Sequence, residues 1–274
     1  MNGADLQSEP RRFGVLGVCL TAIEPAEAVE RVILAACDSQ PFGVSALAVH
    51  GVMTAVQDSS FQYQLNALEM VVPDGQPVRW ALKWLHGIRL DERVYGPDLM
   101  YETCRRAAEE GLPIFLYGST SDTLERLSDR LTTDFPNLKI AGTQPSRFRA
   151  ANEEEREADL RMIAGSGARI VYIGLGCPRQ EIWAFENRLA LEMPALAVGA
   201  AFDYWAGQLR RPPSWMQRRG LEWLYRLVQE PRRLWRRYIL LNPAYLALIL
   251  AQRLGLKVIP TSRGVPPQRM VRPG

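Results

Sequence analysis

Four short stretches hold side chains that could do chemistry, and each follows an apolar run. In "VVPDGQPVRW", the run ends at Val71-Val72 and Pro73-Asp74-Gly75 follows, so Asp74 would present a carboxylate at the end of a strand. Pro-Asp-Gly is equally an ordinary turn triplet. In "FLYGSTSDTLERL", Gly118 permits close backbone approach, and Ser119 and Thr120 precede a helix start. Amides at a helix N-terminus suit a phosphate, although a tight strand-to-helix connection has the same residues. In "IVYIGLGCPRQEIW", Gly174-x-Gly176 leads into a proline-initiated helix with Gln180 and Glu181 in its first turn. Gln180 could read the edge of a base and Glu181 could take a ribose hydroxyl; a capped helix start reads the same way. In "AVGAAFDYWAG", small residues would let a ligand approach, and Asp203 stands between Phe202 and Tyr204. Dense packing against a helix would need those small residues too.

Other chemistries are disfavoured. The third stretch is not G-x-G-x-x-G, so the dinucleotide fingerprint fails. Four widely spaced cysteines (Cys19, Cys37, Cys104, Cys177) form no C-x-x-C pair, and only two histidines occur, which argues against a zinc site and fits a reduced compartment. No D-x-D is present to hold a divalent metal against a sugar-nucleotide diphosphate, so any departing diphosphate needs another cation. Arginines could supply it. Positions 210, 211, 218, 219, 226, 232, 233, 236 and 237 are arginine, opposed in that segment only by Glu222 and Glu230, while the whole chain carries +3. The basic charge is local and implies no nucleic-acid partner.

These loops need elements to position them. Apolar runs predict strands at Phe13–Cys19, Gly43–Val49, Met70–Val72, Ile114–Tyr117, Lys139–Gly142, Ile170–Gly174 and Ala195–Gly199. Amphipathic stretches predict helices at Pro25–Cys37, Pro97–Glu110, Ser121–Asp134, Glu153–Ser166 and Arg179–Leu191. Such alternation predicts an α/β fold with a Rossmann-like, mostly parallel sheet flanked by helices. Ligands of open parallel sheets bind beyond the carboxyl ends of the strands, where all four stretches fall. "PRRFGVLGVCLTAIEP" loosely resembles a twin-arginine signal, but its apolar run is short and reads better as the first strand.

After about Pro212 the pattern turns wholly helical. Arg219, Arg226 and Arg233 recur every seven residues and are expected on one face. The apolar run Tyr238–Ala251 is interrupted by Asn242-Pro243 and is too short to span a bilayer, which takes about 20 residues. Arginines flanking tryptophan, tyrosine and leucine suit a helix lying in an anionic membrane interface. An ordinary packed helix or a homo-oligomer contact is the other reading. The expected division is a catalytic core over 1–205, a basic helical membrane-associating appendage over 206–255 and a loose tail over 256–274.

Taken together, "PDGQPVRW", "RVYGPDL", "FLYGS", "GLGCPRQEIW", "VGAAFDYWAG" and "PPSWMQRRGLEWLYRLVQEPRRLWRRY" resemble the WecG/TagA/CpsF family of bacterial glycosyltransferases from about Phe13 to Leu250. The resemblance implies inverting, metal-independent transfer, with no cofactor, of a hexosyl or N-acetylmannosaminyl group from a UDP-sugar. The acceptor would be an undecaprenyl-diphosphate-linked saccharide at the cytoplasmic face of the inner membrane, in cell-wall or exopolysaccharide synthesis. It assigns Asp74 as general base, Arg93 to phosphate, Gln180 to the nucleotide, and Arg219 and Arg226 to an appendage closing over the site. Members often carry Thr-x-Asn after the second strand, where this chain has "LAVHGVM" and a shorter spacing to Phe61. That departure leaves open a subgroup resembling the glucosyltransferase of xanthan synthesis, and makes His50 a candidate substrate contact; His86 reads as a surface loop residue. Readings outside the family are a nucleotide-dependent oxidoreductase and a non-catalytic membrane-associated assembly partner.

Overall fold

A computed structural model describes residues 9–267; the side chains of Ser214, Arg218, Arg233, Arg236 and Arg237 lie outside that description. The chain opens with an antiparallel hairpin, β1 (Arg12–Val15) and β2 (Val18–Thr21). A single strand is expected here, but Leu16 and Gly17 take φ of 49° and 85°. Two left-handed residues in succession make the two-residue turn that suits a hairpin. Leucine is unusual in that conformation, and burial of the Leu16 side chain holds it there. The helix over Ser59–Asn66 pins the tip, because Gln62 and Asn66 both donate side-chain amide hydrogens to the Gly17 carbonyl.

The main sheet has six strands: β3 (Phe42–Leu47), β4 (Met70–Pro73), β5 (Ile114–Gly118), β6 (Ile140–Gln144), β7 (Ile170–Gly174) and β8 (Pro194–Ala197). Their order is β4-β3-β8-β7-β5-β6, and every neighbouring pair is parallel. Parallel strands covered on both faces read as continuous apolar runs. Alternate residues feed two cores: Val171 and Ile173 enter one, Ile170 and Tyr172 the other. The fold is the expected α/β sheet flanked by helices.

Helices α1 (Pro25–Cys37), α5 (Gly96–Glu110), α6 (Ser121–Asp134) and α9 (Ala201–Trp205) cover one face. The other is covered by α2 (Val49–Gln57), α3 (Ser59–Asn66), α4 (Gln76–His86), α7 (Glu153–Gly165) and α8 (Arg179–Leu191). Local chemistry sets their ends. Pro25 opens α1. Thr120, rather than Ser121, caps α6 by accepting the Thr123 amide hydrogen at 3.2 Å. Asn152 and Glu155 form a reciprocal capping box on α7. Left-handed glycines, Gly87 and Gly111, end α4 and α5.

The C-terminal helices are α10 (Ser214–Arg218), α11 (Glu222–Gln229) and α12 (Pro231–Arg253). Asn242-Pro243 does not interrupt α12, which runs through it for 23 residues. No described helix is long and apolar enough to cross a membrane. Instead α12 packs on α2 and α4. Leu234, Tyr245 and Ile249 lie buried along one side of it, the last two in a main core at 1% and 2% exposure. Trp235, Ile239, Leu246 and Leu250 lie exposed along another side. Part of the expected loose tail is docked rather than free. Ile259 is buried, the Pro260 and Thr261 carbonyls accept from Gln62 and Asn66, and the Val265 amide donates to Ser59. The Gln62 and Asn66 side chains and the Ser59 carbonyl, all on α3, supply these bonds, which composition alone does not reveal.

Because Ile249 belongs to the core, Ile249→Ala should cost about 2–5 kcal/mol in urea unfolding. A loss within about 0.5 kcal/mol, usual for surface substitutions, would show that α12 contributes nothing to the core.

Candidate active site

The carboxyl ends of the adjacent strands β4, β3, β8 and β7 open onto one crevice. Asp74 follows β4 directly. Its amide donates to the Leu47 carbonyl at 3.1 Å, which extends the β3–β4 ladder by one rung and fixes the backbone. Its Oδ1 accepts the Gly96 amide hydrogen at 2.9 Å, at the start of α5. Glycine at 96 lets α5 come close to β3, since a Cβ there would lie 3.1 Å from the Ala46 Cβ. Burial raises the Asp74 carboxyl to about 6; Arg93, the Gly96 amide and Arg226 oppose the rise, and Glu222 adds to it.

Two cations and two phenols surround this carboxylate. Arg93 lies over the Tyr95 ring, 4.1 Å from its centroid, and its guanidinium pairs with Glu222 at 2.6 Å. It also donates to Gln217 Oε1 at 3.3 Å. Tyr95 donates its hydroxyl hydrogen to the other Glu222 oxygen at 2.6 Å, and burial first, then Glu222, hold that phenol protonated. Arg226, one turn beyond Glu222 on α11, stands 5.9 Å from the Tyr204 ring centroid and pairs with Glu230 at 3.4 Å. Burial lifts the Tyr204 phenol to about 12. The turn from α10 to α11 comes close to α4 through Gly220, which has φ of 69° and faces Trp80.

The crevice has two lobes, with Ala48, Asp74, Glu222 and Arg226 lining both. The first is bounded by Gly176, Gln180, Gly199, Ala200 and Tyr204, at the ends of β7 and β8. The second is bounded by His50, Gln76, Pro77, Trp223, Tyr238 and Leu241, from α2, α4 and the C-terminal helices. One lobe is therefore walled largely by backbone and small residues, the other by aromatic and apolar side chains.

Asp74, Arg93 and Arg226 come together as a cluster, and His50, in the first turn of α2, lines the second lobe. Gly176 and Gln180 line the first lobe, where the Gln180 Oε1 accepts the Gly176 amide hydrogen at 3.1 Å. The Gln180 amide nitrogen donates to Glu181 at 2.9 Å, so both ends of the amide are engaged within the chain. Glu181 is 1% exposed, also accepts from Ser45, and has its carboxyl pushed up by burial.

Three expectations are placed elsewhere. Gly118 ends β5, one strand beyond β7, Ser119 and Thr120 follow it, and none of the three lines either lobe. The Ser119 amide is donated to the Gly174 carbonyl at 3.0 Å and the Thr120 hydroxyl caps α6, so this turn joins strands. Asp203 sits on α9, where its carbonyl accepts from the Gln208 and Leu209 amides; its neighbours Ala200 and Tyr204 face the crevice instead. Arg219 is exposed, with its guanidinium 6.0 Å from the Trp215 ring centroid. The seven-residue repeat does not form a face, because chain breaks at Gly220 and Glu230 put Arg219, Arg226 and Arg233 on different segments. Tyr95, Tyr204 and Glu222 were not singled out by sequence reasoning. The available signal for Glu222 was a lone acid opening a helix inside a run of arginines.

The model of the glycosyl transferase WecG/TagA/CpsF family matches residues 13–258, from the N-terminal hairpin to beyond α12, and so takes in every side chain around Asp74. By that match the chain belongs to the WecG/TagA/CpsF family of glycosyl transferases.

Proposed function

We propose that the protein transfers a sugar from a UDP-sugar to a hydroxyl of an undecaprenyl-diphosphate-linked saccharide, by a single displacement that inverts the anomeric carbon. The observation that carries this reading is Asp74 on the floor shared by both lobes, with its carboxyl at about 6 and Arg93 and Arg226 beside it. A carboxylate of that proton affinity is matched to general-base work near neutral pH. The acceptor hydroxyl gives its proton to Asp74 as its oxygen bonds to the anomeric carbon. The bond from that carbon to the diphosphate breaks, and the electron pair leaves with UDP. Arg226 and Arg93 stand where cations can stabilise that leaving group without a metal. The first lobe, walled by Gly176, Gly199 and Gln180, suits the nucleotide because glycines let a ligand approach the backbone. The aromatic and apolar second lobe suits the acceptor.

The exposed side of α12 supports peripheral attachment to an anionic membrane at its cytoplasmic face. Trp235 and Ile239 are 46% and 58% exposed in a segment rich in arginine. Such helices bind by apolar burial plus attraction to anionic lipid, worth about 1 kcal/mol per basic residue.

Incubating the protein with membranes that hold lipid-linked acceptors and a panel of radiolabelled UDP-sugars tests the reading directly; no transfer from any donor would overturn it. With the productive donor, Asp74→Asn should lower turnover at least about 100-fold while the circular dichroism spectrum stays unchanged. Since only the ionised carboxylate accepts a proton, the wild-type rate should fall as pH drops through about 6. A near-normal rate for Asp74→Asn removes the base from this scheme. Activity should persist in EDTA, whereas complete loss restored by magnesium or manganese would contradict the role given to arginine. Trp235→Ser with Ile239→Ser should release the protein from anionic liposomes in sedimentation and spare transfer to a soluble acceptor analogue. Unchanged sedimentation would place the membrane contact elsewhere.

A further inference from the structure

Glu222 stands at the centre of the crevice, yet nothing in the displacement above requires a second carboxylate. It lines both lobes beside Asp74. Both of its oxygens already face groups of the chain: one pairs with Arg93 and the other accepts from Tyr95. Its surroundings give it a different task. Arg93 is held by three groups: the Tyr95 ring beneath it, Glu222 and Gln217. Two of the three arrive on the C-terminal helices. Besides Glu222, the carboxylate that acts on Arg93 is Asp74, so without the Glu222 charge Arg93 is drawn toward Asp74. A guanidinium drawn onto Asp74 would make that carboxylate a poor proton acceptor.

We infer that Glu222 is a positioning residue: by holding Arg93 in its ion pair, it keeps the proposed general base free to accept a proton. The C-terminal helices thus complete the catalytic centre with an acid as well as with arginine. Tyr95 contributes by fixing the second Glu222 oxygen, so the carboxylate cannot rotate off Arg93. The other titratable groups that share the crevice are His50 from α2, Cys177 just before α8, Glu181 from α8, Tyr204 from α9, Arg226 from α11 and Tyr238 from α12. Of these, Arg226 acts on Asp74 in the opposite sense to Glu222, which is why the acid is needed beside it.

The inference rests on Asp74 being the base, but its test does not need turnover. Aspartate labelled with carbon-13 at the side-chain carboxyl is incorporated into the full chain. The Asp74 resonance is identified by its loss in Asp74→Asn. In the wild type its titration midpoint should lie near 6. Glu222→Gln keeps the size and hydrogen-bonding capacity of the side chain but removes the charge. The midpoint should then fall clearly below that of the wild type, as far as the burial of Asp74 allows, and Glu222→Asp should return it most of the way. In the transfer assay the acid limb of the rate profile should move down with it, and the plateau should fall about tenfold as the base weakens. A contact that merely docks α11 would lower the plateau and leave both the midpoint and the limb in place; that result overturns the inference. Should Glu222→Gln not fold, Gln217→Glu decides, since a second carboxylate on Arg93 should raise the midpoint above that of the wild type. A midpoint that does not rise would be equally fatal. If the wild type transfers no sugar, the proposed reaction fails, while the titration still shows whether Glu222 governs Asp74.

Discussion

A carboxylate at the end of a buried strand loses solvation, and the surrounding groups determine whether it remains ionisable. Asp74 occupies such a place. The β3–β4 ladder fixes its backbone and the first turn of α5 gives it one amide hydrogen. Full ion pairing with Arg93 would drive its proton affinity down to that of a structural salt bridge. Complete isolation would leave it protonated at neutral pH. The crevice sits between these limits because cations and an acid on separate elements act on the same group. The remaining architecture can be understood as the means of bringing those charges to one point: a sheet edge, the loop before α5, and two helices from the far end of the chain.

Those last helices have two faces with different physical duties. On α12, Tyr245 and Ile249 close a main core against α2 and α4, while Trp235, Ile239, Leu246 and Leu250 are left outside. A cut after residue 205 would therefore remove more than an attachment device. It would uncover apolar faces of α2 and α4 and take away Glu222 and Arg226 together. The proposed membrane contact, core packing and the charge balance at Asp74 are linked through α11 and α12, which pack on each other.

The arginines of the C-terminal segment differ in role in spite of their similar sequence context. Arg226 is enclosed beside Tyr204 and lines the crevice. Arg211 spans the Tyr95 and Trp205 rings and pairs with Asp98 on α5, tying the segment to the core outside the crevice. Arg219 points to the surface beside Trp215. Guanidinium groups stack on aromatic rings and form directed pairs, so one residue type can serve all three purposes.

Much of this architecture was legible in the residues themselves. Apolar runs marked the six parallel strands, and amphipathic stretches marked α1, α5, α6, α7 and α8, because each reflects local burial; α2, α3 and α4 were not marked. Asp74 was legible as a residue at a strand end, and the quoted motifs carried the family. Strand order was not legible. It places the Gly118–Thr120 turn one strand beyond the crevice, although the turn's composition suits a phosphate. The hairpin at Leu16-Gly17 looked like one strand because a left-handed leucine is held only by distant packing. Nor could spacing separate Arg226 from Arg219, since Gly220 turns the chain between them. Glu222 was least legible of all: its meaning depends on Arg93 and Tyr95, which are far away in the chain and meet it only when α11 lies at the crevice. Periodicity and composition record what each segment needs locally, whereas the partner of a buried charge is chosen by the packing of the whole molecule.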